Sequence, residues 1–325
     1  VKTGVANATQ PYHPLVIRRS CVALVAVLLA GCSAEADVPQ PQQPTSGLLG
    51  ALAAVRATDE STVLVEYGDV AAVRALVERD AERFRTLQGY GYSDVARTRV
   101  LPELVGFDPV SANTALRVGQ PPTWAAVLRM DVDVAAVEAK ITALGGERAG
   151  SGTWKTAEDG EVDLDNPLAQ AGVVSGFQNL RVDAGSVVHA PTGAALKWIT
   201  EPAGDRSLAA DPMIGELARC LGDVSVAMIS NPAGGRPVAA GVRTTPAGEA
   251  TEVVCVPDEN PNAVKDVVRT NLESPTWSEV LAGATVEQPA DQTGVVRVLA
   301  PTAPGVGAGR VLVALHRNDL PALFS

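Results

Sequence analysis

Aromatic residues make up only 4% of this 325-residue chain, so its core cannot rest on stacked rings. The apolar share, 46%, is carried by Ala, Val and Leu. Histidine is nearly absent, with three in the whole sequence, which leaves little material for imidazole catalysis or metal ligation. The four cysteines are too few for a disulfide-dense scaffold, and none forms a Cys-x-x-Cys pair. There is no Gly-x-Ser-x-Gly elbow, no His-Glu-x-x-His pair and no Walker-type loop, which removes the usual support for hydrolase, zinc-peptidase and nucleotide-binding readings. Apolar runs long enough to span a bilayer are missing too. What remains is the balance of a globular protein, with 19% charged residues.

The N-terminal region carries the clearest message. Val16-Ile17-Arg18-Arg19-Ser20 is a cationic head, followed by ten apolar residues from Cys21 to Ala30, the pattern of a secretory signal. As a helix those ten would measure about 15 Å, half of a roughly 30 Å hydrocarbon core. Residues Val1 to Pro14 are polar and do not suit a signal head, whereas Val16 opens a conventional one. The paired arginines leave the export route open between the general and the twin-arginine pathways.

The apolar stretch ends in Leu29-Ala30-Gly31-Cys32. This resembles the lipobox of bacterial lipoproteins, and the composition of the whole looks actinobacterial. The resemblance covers the leader alone and implies cleavage before Cys32, acylation of its sulfur, and a protein held by lipid on the outer face of the cell membrane. A diacyl anchor is stable where a single chain is marginal.

Four segments follow: a signal peptide (1–31), an extended Pro/Gln-rich tether (32–47), an N-terminal lobe (48–203) and a C-terminal lobe (204–325). Lys2, Arg18 and Arg19 leave with the leader, which contains no acid, so the mature chain has 23 bases against 37 acids and a net charge of −14. Such a body is repelled by phosphate backbones, which excludes nucleic acid as a partner.

The body reads as α+β, mainly antiparallel sheets with helices on one face. A strand, a capping residue and an amphipathic helix recur. Val63–Tyr67 leads through Asp69 into a stripe at 70, 73, 76 and 77, and Trp124–Met130 leads through Asp133 into one at 134, 137, 141 and 144. The pentapeptide Asp-Val-Ala-Ala-Val is identical at 69–73 and 133–137. Thr251–Val256 through Asn260 is a third instance, and Val311–Leu315 through Asp319 reads as a fourth. Internal duplication into two related lobes and chance identity in an Ala/Val-rich chain both account for this. Hairpins are expected around Asp159-Gly160 and Ala184-Gly185, with further strands at Val224–Ile229, Val238–Arg243 and Val295–Leu299.

Candidate sites are few. Catalytic residues, metal ligands and cofactors are not indicated. His189 and His316 each close a strand-like run and read as partly buried structural residues. The acids from Glu158 to Asp165 lack the Gly and Glu positions of a calcium loop and read as a solvated hairpin tip. Tyr90 and Tyr92, set beside glycines, and Trp124 after two prolines are candidates for a flat surface that meets a glycan or partner protein. Once Cys21 and Cys32 are set aside, Cys220 and Cys255 remain as the thiols exposed to an oxidising exterior, and they should pair. The leading functional reading is a lipid-anchored, extracytoplasmic binding or scaffolding protein without catalysis, its partner an envelope protein, glycan or lipid. The alternatives are a carrier of a hydrophobic ligand and, third, an envelope enzyme.

Overall fold

The computed structural model describes residues 46–150 and 152–325. Cys32, the lipobox and all but the last two residues of the tether lie outside them. The described chain forms one compact unit. Among the described residues no helix is long and apolar enough to cross a membrane.

The first half runs α1 (Gly47–Ala53), β1 (Leu64–Gly68), α2 (Val70–Arg79), α3 (Ala81–Phe84), α4 (Leu101–Val105), β2 (Thr114–Gln120), β3 (Thr123–Arg129), α5 (Val134–Ala143), β4 (Glu147–Arg148), β5 (Thr153–Lys155), α6 (Pro167–Gln170), β6 (Asn179–Asp183), β7 (Ser186–Ala190) and α7 (Gly193–Thr200). The second half runs α8 (Pro212–Leu221), β8 (Val226–Ser230), β9 (Val238–Thr244), β10 (Ala250–Pro257), α9 (Pro261–Leu272), α10 (Pro275–Val280), β11 (Thr285–Glu287), β12 (Val295–Thr302) and α11 (Arg310–His316). All strands join one twelve-stranded sheet in the order β11-β12-β10-β9-β8-β1-β2-β3-β7-β6-β5-β4. Every pairing in it is antiparallel, so the α+β class with antiparallel pairing is as expected.

Strand order repeats about the central β1–β8 pair. Reading outward, β1-β2-β3-β7-β6 has the same connectivity as β8-β9-β10-β12-β11, with a helix between the third strand and the last pair in each half. The fold therefore matches β3–Asp133–α5 with β10–Asn260–α9. The identical pentapeptide does not follow this repeat, because α2 comes after the first strand of its half and α5 after the third. It marks a shared local need: the Ala72 amide donates to Asp69 at 3.0 Å and the Ala136 amide to Asp133 at 3.1 Å, each capping a helix start.

Side chains alternate across the sheet, and helices cover both faces rather than one. Val65, Tyr67, Leu116, Val118, Ala125, Val127, Ala227 and Ile229 point toward α1, α7 and α8. The opposite face meets α2, α9 and α11 over the second half and α4 and α5 over the first. Because α5 leaves β3 toward one face and α7 leaves β7 toward the other, both surfaces of an apolar sheet are buried.

Two local expectations are corrected. Val311–Leu315 is helical: residues 311, 312, 314 and 315 are buried while Val313 is half-exposed, the spacing of a helix and not of a strand. Glu161–Leu164 is not a strand, and Asp159-Gly160 turns the chain without a hairpin. There β5 pairs with β4 and β6, and Asp159 accepts hydrogen bonds from Asn179 and the Gly193 amide, at 2.9 and 3.0 Å.

Cys220 and Cys255 form a disulfide with Cα atoms 6.2 Å apart. It joins the end of α8 to β10, and both residues are fully buried.

Candidate functional site

The interior of the first half departs from the apolar pattern along one line. Glu66 on β1, Arg117 on β2, Trp124 on β3 and His189 on β7 fall on the same face, by the strand registers, and all four are buried. The corresponding layer of the second half holds Val226, Met228, Ala240, Val242, Val254, Val298 and Ala300, with the buried carboxyl of Glu252 among them, paired in register with Val242 and Ala300. The second half's layer is apolar but for Glu252, whereas the first half's holds an ion pair and an imidazole.

The charges are answered locally. Arg117 Nη1 donates to Glu66 Oε1 at 3.1 Å, and its guanidinium lies over the Trp124 ring at 4.7 Å. Ser93 Oγ donates to Glu66 Oε2 at 2.7 Å. His189 Nδ1 faces the Gly176 carbonyl at 3.0 Å, and since a carbonyl only accepts, the proton sits on Nδ1. The ring stands edge-on to Phe177 and Trp124, leaving Nε2 buried without a hydrogen-bond partner. Burial holds the His189 pKa below its ordinary value, against the opposing pull of Asp94.

A cleft of about 420 Å³ opens above Glu66, between the segment 86–97 and α11. Thr86, Gln88, Tyr90, Ser93, Arg97 and His316 line it, with Glu66 on its floor. The segment lies directly on the sheet because two glycines permit backbone contact. A Cβ on Gly68 would sit 2.5 Å from the Tyr90 carbonyl oxygen, and one on Gly91, at φ +82°, 2.3 Å from the Ala115 oxygen. Burial pushes the Tyr90 hydroxyl above its ordinary range, reinforced by Glu66 and Glu252, so it stays protonated. The opposite wall is positioned by Glu252, whose buried carboxyl accepts from the Gly309, Arg310 and Val311 amides at the start of α11, at 2.7, 3.3 and 3.2 Å; burial pushes its pKa up against the pull of those amides. His316, at the far end of that helix, faces the cleft.

The structure corrects the placement of the expected aromatic surface. Tyr90, Tyr92 and Trp124 are 8%, 4% and 4% exposed and present no flat outer face. Trp124 packs inside against Arg117 and His189, and Tyr92 joins the apolar layer with Val70 and Val95. Tyr90 alone reaches the cleft, its ring 5.8 Å from that of His316. His316 terminates a helix and is exposed, while His189 is sealed in β7. Glu66, Arg117, Ser93 and Arg97 were not singled out from the sequence, although a lone charge within the apolar strands Val63–Tyr67 and Ala115–Val118 is a readable signal.

A second groove, of about 340 Å³, shares Thr86 and runs along the other side of α11, lined by Trp277, Val280, Val313 and Ala314 and edged by Arg310, Arg317 and Asp319. In comparisons with known proteins, no family model, no curated protein and no solved structure matches this chain.

Proposed function

We propose that this is a lipid-anchored binding protein of the extracytoplasmic face of the cell membrane, without catalysis, which receives a small polar ligand in the cleft above Glu66. The observation that carries the reading is a cleft of about 420 Å³ with a buried ion pair at its floor. The buried Glu66–Arg117–Trp124–His189 layer is more polar than its counterpart in the second half, where Glu252 lies among Val, Met and Ala. Buried ion pairs seldom add stability over an apolar filling, and this one opens on the cleft through Glu66. Catalysis has weaker support, since His189 is sealed from solvent and Ser93 donates to a carboxylate already engaged by Arg117. The hydrophobic-carrier reading has the groove beside Trp277 in its favour, but that groove is edged by three charged residues.

Native mass spectrometry of the full chain from its own membrane tests both parts. A diacylglyceryl mass on the mature chain, lost in Cys32→Ser, is expected for the anchor. A small polar adduct, lost in the cleft-filling variant Ser93→Trp, is expected for the site. An unacylated wild type would overturn the first. An adduct indifferent to Ser93→Trp, or conversion of the bound molecule, would overturn the second.

A further inference from the structure

We infer that the ligand is a small hydroxylated molecule bearing one anionic group, of the sugar-acid or sugar-phosphate class; this rests on the cleft being the ligand site. Glu66 is the only carboxylate in the lining, and its charge is met by Arg117 and the Ser93 hydroxyl. Arg97 is exposed at the rim and makes no hydrogen bond or ion pair among the described residues. His316 lies across from it on α11. With Glu66 already met inside the protein, Arg97 is the cation of the lining left unanswered among the described residues, on a chain of net charge −11, so an anion drawn there is held by local contacts.

The remaining lining suits hydroxyl groups. A carboxylate offers about four acceptor sites, and Glu66 has committed one bond on each oxygen within the protein, which leaves capacity for ligand hydroxyls. Thr86, Gln88 and the protonated Tyr90 add donors and acceptors. The tilted Tyr90–His316 ring pair supplies a short apolar wall for the C–H face of a ring. A volume of about 420 Å³ is ample for one sugar unit and falls in the ordinary range of ligand pockets. A diacyl chain would need a longer apolar lining than this cleft provides.

The experiment is calorimetric titration of the full chain in detergent with glucuronate, glucose 6-phosphate, glucose and inorganic phosphate. Both charged sugars should bind at least tenfold more tightly than glucose and more tightly than phosphate alone. Arg97→Gln should remove the advantage of the charged sugars over glucose, with an unchanged circular dichroism spectrum, because Arg97 holds nothing in the fold. The inference is overturned if glucose equals the charged sugars, if phosphate alone equals glucose 6-phosphate, or if Arg97→Gln keeps the preference. Should no sugar bind while another adduct is lost on Ser93→Trp, the ligand class is wrong and the cleft stands. The cleft itself falls if no adduct depends on Ser93.

Discussion

Burial of the whole His189 ring disfavours its doubly protonated form, against the pull of Asp94, whose carboxylate lies 3.8 Å from Nδ1. In the unfolded chain the histidine titrates near its ordinary value of about 6.5. With the folded pKa lowered, the unfolded state binds more protons as pH falls below that value. Stability is therefore complete above about pH 6.5 and declines on acidification, by at most about 1.4 kcal/mol per pH unit. Urea melts between pH 7.5 and 5.5 should show this slope, and His189→Gln should reduce it; an equal slope in the variant would assign the acid sensitivity elsewhere.

The residues around His189 also show what a linear sequence conceals. Glu66 and Arg117 lie 51 positions apart, and their pairing depends on the register of β1 and β2, which no local pattern announces. Tyr90 and Tyr92 looked like surface residues because glycines flank them. In the structure those glycines serve the reverse purpose and let the segment press onto the sheet.

At the scale of elements, α8 is fastened to the sheet twice. The disulfide ties its last turn to β10, and Arg243 and Arg297 donate to its terminal carbonyls: Arg243 Nε to Leu221 at 2.8 Å, Arg297 Nη1 to Cys220 at 3.2 Å. Cations suit a helix C-terminus. The bridge closes a separation of 35 residues, for which the chain-entropy picture gives about 4 kcal/mol. Cys220→Ala/Cys255→Ala should keep the fold and lose up to that amount in a denaturant melt. Unreduced, unfolded wild type should have no thiol titrating at either position; two reactive thiols there would contradict the bridge.

Most elements were legible, because strand, cap and helix signals are local. The exceptions were Glu161–Leu164, which is not a strand, and α11, whose five apolar residues in a row suit either structure. Its helical state is decided by distant Glu252, which accepts its first amides. The repeat of the fold was only half-visible, since cap and stripe recur wherever a strand feeds a helix.

At the scale of the molecule, the two halves share more than a boundary. β1 pairs with β8 over five residues, and one apolar layer runs beneath both, joining Val65 and Leu116 to Ile214, Ala227 and Val253. Unfolding should accordingly be a single transition, with calorimetric and van't Hoff enthalpies in agreement. Two resolved transitions would show that the halves are independent.

A twelve-stranded sheet has only two open ends, and both are blunt. β4 is two residues long, Glu147 and Arg148, and both are exposed charges. β11 is three residues long, with Glu287 paired to Arg297. Short, charged borders give a neighbouring chain almost nothing to hydrogen-bond. Blunt edges of this kind oppose the edge-to-edge, fibre-forming association that Val- and Ala-rich strands would otherwise invite.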